Sequence, residues 1–236
     1  MVEFAYAVGR IRAIEAHLLT ENEIIRMTEA KDFDSAYLVL RESPHYSKLI
    51  DQLEHPFDFE SLLEKETAYT RELMKKLAPG NKLIEVIWKK SDPALPLSNY
   101  LDILSATAAE SNVPLFKKYA FSFIVLSRLK LELLENKFEP ERIVLQFKYT
   151  DFNQLVSAGL EHFRKTGSLF ALEREIDNFL TETVKKAKYQ SFGIEPLIGF
   201  CIAKEVEVKI IRLISTGKRM RLRPEEIKER LRLPYA

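Results

Sequence analysis

The residues best equipped for chemistry cluster in one apolar run near the C-terminus. Leu197-Ile198-Gly199-Phe200-Cys201-Ile202-Ala203 leads into Lys204-Glu205-Val206-Glu207-Val208-Lys209, and then into Ile210-Ile211-Arg212-Leu213-Ile214. Three cations and two carboxylates lie amid an otherwise apolar run. Glu205 and Lys209 are four residues apart in the favourable Glu-before-Lys order, and Arg212 lies a further turn along the same face. Ile202, Val206, Ile210 and Leu213 group on one side of a helical wheel. The pattern predicts a helix packed over much of its circumference, with one charged strip at a surface or interface. An ordinary solvated strip has the same composition, each pair then contributing only ~0.3–0.5 kcal/mol.

No catalytic set emerges elsewhere. His17, His45, His55 and His162 are scattered, without the paired spacing of a helical metal site, and read as surface or capping residues. Thr216-Gly217-Lys218-Arg219 superficially matches the end of a phosphate-binding loop. The earlier glycine falls on Arg212, and Arg219 stands where Ser or Thr is required. There is no glycine-rich dinucleotide turn and no Gly-x-Ser-x-Gly elbow. Cys201, the single cysteine, excludes an internal disulfide and a cysteine zinc cluster; in its apolar run it reads as a packing residue. We expect no cofactor, no metal, no small-molecule substrate and no enzymatic activity.

The elements that position these residues are helices. Only 7 glycines occur in 236 residues, where average usage gives roughly sixteen. Leu, Ile, Glu, Lys and Arg abound, and prolines such as Pro79, Pro93, Pro96, Pro140 and Pro224 fall between apolar runs. The net charge of +1 supplies no global field toward nucleic acid. No run of eighteen apolar residues exists to span a bilayer, and no signal peptide is expected before Glu3, so the expectation is a cytoplasmic protein.

Three long helical segments stand out, at about Phe4–Leu19, Leu115–Asn136 and Glu195–Thr216. Each precedes an acidic helix start: Thr20-Glu21-Asn22-Glu23-Ile24, Glu139-Pro140-Glu141-Arg142-Ile143, and Arg223-Pro224-Glu225-Glu226-Ile227. Arg128 to Ile143 and Arg212 to Ile227 are both fifteen residues. Leu63-Glu64-Lys65-Glu66 and Leu172-Glu173-Arg174-Glu175 open two further helices, reaching about Leu77 and Lys188. Between Lys82 and Asn99, Leu83, Val86, Ile87 and Trp88 look helical, and Ser91 to Pro96 reads as a loop. The expectation is one all-α domain of repeated, pseudo-symmetric units in a funnel-like arrangement: an N-terminal half-unit at 1–58 and full units at 59–158 and 165–236. Generic amphipathic chemistry without shared ancestry is the alternative.

Tyr6-Ala7-Val8-Gly9-Arg10-Ile11-Arg12-Ala13 resembles the opening helix of the C subunit of archaeal and bacterial V/A-type ATPases, a relative of the d subunit of eukaryotic vacuolar ATPases. Glu195-Pro196-Leu197-Ile198, the stretch from Lys204 to Arg212, and Pro224-Glu225-Glu226-Ile227 resemble that family's C-terminal segment. These stretches match at both ends of the chain, in the correct order. The resemblance implies a non-catalytic subunit that seats the central stalk on the membrane rotor ring, peripheral on the cytoplasmic face, and passes rotation on to ion translocation. The chain departs from the family in being about one unit shorter. It also has Ser122-Phe123-Ile124-Val125 ahead of Arg128, where the family tends to carry Asp and Asn. The basic residues recurring along the long helices give a candidate partner-binding set of Arg10, Arg12, Arg128, Lys204, Glu205, Glu207, Lys209 and Arg212. If the units surround an axis, the basic members converge on one opening; if not, each pairs locally, as Arg212 with Glu205. A free-standing helical scaffold binding a partner helix in a groove is the other functional reading.

Overall fold

Local capping sets where the helices begin. Thr20 accepts from the Glu23 N–H while the Glu23 carboxylate accepts from the Thr20 N–H at 2.8 Å, a reciprocal capping box. Asp32, Asp58 and Asn81 each accept backbone N–H groups from the first turn that follows them. Pro44, Pro114 and Pro224 open helices at positions where no N–H is needed. Gly167 takes a left-handed φ of 69° and ends a helix that an L side chain would strain at that point.

The computed structural model describes residues 4–135 and 140–235. Its helices are α1 (Ala5–Glu15), α2 (Glu21–Glu29), α3 (Phe33–Glu42), α4 (Pro44–Ile50), α5 (Phe59–Leu77), α6 (Lys82–Lys89), α7 (Leu97–Glu110), α8 (Pro114–Leu134), α9 (Pro140–Phe147), α10 (Asn153–Thr166), α11 (Phe170–Lys185), α12 (Glu195–Arg219) and α13 (Pro224–Lys228), with a 3-10 turn at Lys186–Tyr189. No strand occurs among the described residues, so the fold is all-α.

The long helices differ from their expected bounds at the ends. The first stops at Glu15, because the chain turns through 3-10 hydrogen bonds at His17 and Leu18. This carries Leu18 and Leu19 off the helix and into the interior. The last runs on past Thr216 to Arg219, and Gly217 lets α13 close on it: a Cβ there would lie 2.9 Å from Ile227 Cγ1. The second covers Pro114–Leu134, while Asn136 and Glu139 lie outside the described residues. The two charged-start helices open earlier than expected, at Phe59 and Phe170.

α12 is the axis of the molecule. Its N-terminal half contributes Leu197, Ile198, Phe200 and Cys201 to a core shared with α1, α7, α8, α10 and α11. Its C-terminal half contributes Val206, Ile210, Ile211 and Ile214 to a second core with α2, α3, α4 and α5. Leu197, Ile198, Ile211 and Ile214 are fully buried, each stabilising by roughly 1.5–3 kcal/mol. Lys204 and Glu205 fall at the boundary between the two cores. That boundary is where the charges collect.

Candidate interaction site along the last long helix

One side of the boundary is sealed. Lys204 and Glu207 are 2% and 6% exposed, and Glu66 on α5 is fully buried. The Lys204 ammonium lies 2.7 Å from Glu66 Oε1 and 2.6 Å from Glu207 Oε2. Glu207 also accepts from the Tyr46 hydroxyl at 2.7 Å and from the Leu19 N–H at 2.6 Å. His45 closes the chain, 2.5 Å from Glu66 Oε2. Burial by itself raises the Glu66 carboxyl, but His45 and Lys204 outweigh it and hold the group below its ordinary range. Burial likewise opposes the Lys204 charge, and Glu207 with Glu66 reverses the effect and raises the ammonium. This cluster ties α1–α2, α4 and α5 to α12. It leaves Lys204 and Glu207 little exposed surface, Lys204 reaching only the edge of a small neighbouring space. Both therefore act within the fold, held by Glu66 of α5 and Tyr46 of α4, which cover this side of α12.

The other side is open. Glu205 Oε1 meets Lys90, just past the end of α6, at 2.5 Å and Lys209 at 3.5 Å, so the expected i,i+4 pair is present within a larger network. Lys209 continues to Asp177 of α11 at 2.8 Å, and Asp177 accepts from Arg232 Nε at 3.1 Å. Burial raises the Glu205 and Asp177 carboxyls, and the facing cations bring both below their ordinary values. Above this network lies a cleft of 670 Å³. Five cations (Lys90, Lys130, Lys209, Arg212, Arg232) and three carboxylates (Glu173, Asp177, Glu205) line it, a surplus of two positive charges. Spaces of 460 Å³ and 250 Å³ adjoin it, and Ser91 and Arg212 line all three.

Arg212 does not pair with Glu205, as local reasoning suggests. It reaches across to Glu60 of α5 at 3.2 Å, because the carboxylate of Glu205 is taken by Lys90. The other basic candidates stand apart from the cleft lining. Arg128 pairs loosely with Asp102 at 3.9 Å, although its neighbours Ser127 and Lys130 line the cleft. Arg12 donates to the Ala187 and Gln190 carbonyls at 2.7 and 2.9 Å and lies 2.5 Å from Glu15, capping the 3-10 turn. Arg10 is exposed on α1.

Sequence reasoning missed Lys90, Asp177 and Arg232, which lie outside α12, and the contact of the partly buried His45 with Glu66. Cys201 is fully buried, and burial pushes its thiol well up, as its apolar run suggests. No helix among the described residues is long and apolar enough to cross a membrane.

Comparison with known proteins adds a family to this geometry. A family model described as ATP synthase (C/AC39) subunit matches residues 7–95 and 97–230. The chain is 27% identical over 219 residues to the C subunit of the A-type ATP synthase of Methanocaldococcus jannaschii, covering 92% of this chain and 53% of that protein. Against the C subunit of the A-type ATP synthase of Methanothermobacter thermautotrophicus it is 22% identical, over 92% of this chain and 84% of that one. A shorter match, 37% identical over 86 residues, covers 36% of this chain and 26% of the C subunit of the V-type sodium ATPase of Enterococcus hirae. The chain thus spans about half the length of the Methanocaldococcus relative. The two matched blocks run from α1 to the end of α13 and meet in the loop before α7, and on that coverage the chain belongs to the ATP synthase (C/AC39) subunit family.

Proposed function

We propose that this chain is a non-catalytic subunit of a V/A-type rotary ATPase, seating the central stalk on the membrane rotor ring as a peripheral part of the membrane-bound complex. Family membership supports the complex. The observation that carries the docking role is the cleft around Arg212, which is roomy, continuous with its neighbouring spaces and positive in surplus. A shaft end bearing acidic and polar groups suits such walls, and charge of this kind speeds encounter and fixes orientation more than it adds affinity. Within the candidate set, Lys209, Arg212 and Glu205 are the residues that face the cleft. The repeat division into 59–158 and 165–236 goes with this reading. It is supported by the same order in both halves, a long helix with proline in its first turn (α8, α12) and then a short proline-led one (α9, α13).

The test is binding of purified stalk subunits to Arg212→Ala, with Arg128→Ala alongside. Arg212 and Glu60 are both about half exposed, so their pair stabilises the fold by ~0–1 kcal/mol at most. Melting should stay close to the wild type while stalk affinity drops and becomes less salt-sensitive for Arg212→Ala. Unchanged affinity with unchanged salt dependence overturns the docking role.

A further inference from the structure

The 250 Å³ space beside the cleft has a feature the network does not explain. Its lining includes Thr70 of α5, Trp88 of α6, and Lys204, Glu205, Lys209 and Arg212 of α12. Thr70 is 1% exposed, yet its hydroxyl has no hydrogen-bond partner. The Trp88 indole N–H is likewise buried without one. A buried polar group left unpaired costs free energy, and folded proteins rarely leave two at one place. The indole can only donate, and the hydroxyl is free to do so. Two neutral donors therefore share a wall with three cations and one carboxylate. Glu205, the one carboxylate in the lining, is held by Lys90 and Lys209, and no acceptor reaches either donor.

We propose that this pocket is a receptor for one carboxylate, carried on an acidic side chain of the partner segment that lies in the adjoining cleft. The pocket has room for about eight waters at ~30 Å³ each, enough for a single such side chain. Its continuity with the cleft through Ser91 and Arg212 favours a group delivered by a segment lying there. The negative wall does not compete, since Glu205 Oε1 is held by Lys90 and Lys209. Thr70 and Trp88 would supply hydrogen bonds, and Arg212 and Lys209 the compensating charge. The identity of the occupant rests on the docking role proposed for the cleft; the carboxylate site itself does not.

Trp88 is the only tryptophan, so its indole N–H resonance is a site-specific reporter. The isolated chain is titrated with sodium acetate, with sodium chloride at matched ionic strength as the control. Acetate should shift the indole signal saturably and chloride should not. Thr70→Val and Arg212→Gln should each weaken the effect about fivefold, the size of one lost hydrogen bond. Thr70→Ser, which keeps the hydroxyl, should stay within about twofold of wild type. If Thr70→Val does not fold, Arg212→Gln carries the comparison, because its side chain is 48% exposed. Inorganic phosphate binding in place of acetate overturns the carboxylate assignment. So does the absence of saturation, an equal response to chloride, or affinities unchanged in the variants. A saturable, Thr70-dependent acetate site in a chain that fails to bind stalk subunits keeps the receptor and removes the docking role. Stalk binding without an acetate site does the reverse.

Discussion

Replacing Lys204 by Met tests the account of the boundary cluster most sharply. Met keeps most of the side-chain volume, so packing changes by less than about 1.5 kcal/mol. What disappears is the cation between Glu66 Oε1 and Glu207 Oε2, 2.7 and 2.6 Å from the ammonium. Two buried carboxylates then face one another, supported by His45 on one side and by Tyr46 and the Leu19 N–H on the other. Breaking a buried pair by removing one partner costs about 3–5 kcal/mol. At about 2–4 °C per kcal/mol for a chain of this size, the melting temperature should fall by roughly 6–20 °C near pH 7.5. The pH dependence supplies the second check. In the wild type the depressed Glu66 carboxyl gives stability that is full above its unfolded value of 4.5 and is lost as the pH falls. Without Lys204 burial of that carboxylate is uncompensated, so protonation relieves the strain and the gap to wild type should narrow toward pH 4. The double variant Lys204→Met with Glu207→Gln should recover part of the loss. Circular dichroism melts at three pH values suffice. A fall of less than about 3 °C at pH 7.5, or a gap that widens on acidification, refutes the reasoning.

Other consequences follow from the same contacts. Asp177 is held below its ordinary 3.8 because Lys209 and Arg232 outweigh its burial, so it too stabilises above that value and is lost as the pH falls through the depressed one. Urea midpoints should therefore drop between pH 7 and pH 3 less in Asp177→Asn than in the wild type, and an equal drop would count against this linkage. Arg12→Ala removes the hydrogen bonds to the Ala187 and Gln190 carbonyls and should cost about 1–2 kcal/mol, read as a shift in the urea midpoint without a change in slope. Cys201 should resist thiol reagents in the native state and react fully once the chain is unfolded; rapid native labelling would place it nearer the surface than its zero exposure allows.

Much of the fold is legible in the sequence. Scarce glycine, prolines between apolar runs and capping residues such as Thr20 with Glu23 act over three or four residues, and they set an all-α chain and most helix starts. The Glu205–Lys209 pair is equally local and is found at 3.5 Å. What the strip on α12 does is a different matter. Its charges divide into a sealed set and an open one, and the sequence carries no mark of the division. Lys204 answers to Glu66, and Glu207 to a backbone N–H 188 residues away at Leu19. Arg212 turns to Glu60, 152 residues distant, and passes over the nearer Glu205. The turn after α1 closes through local 3-10 hydrogen bonds, but the burial of Leu19 beyond it depends on Glu207, which takes its N–H. Helix formation depends on neighbours along the chain. The partner a charged side chain takes depends on which helices pack around it and how much water they leave, and only the tertiary structure decides that.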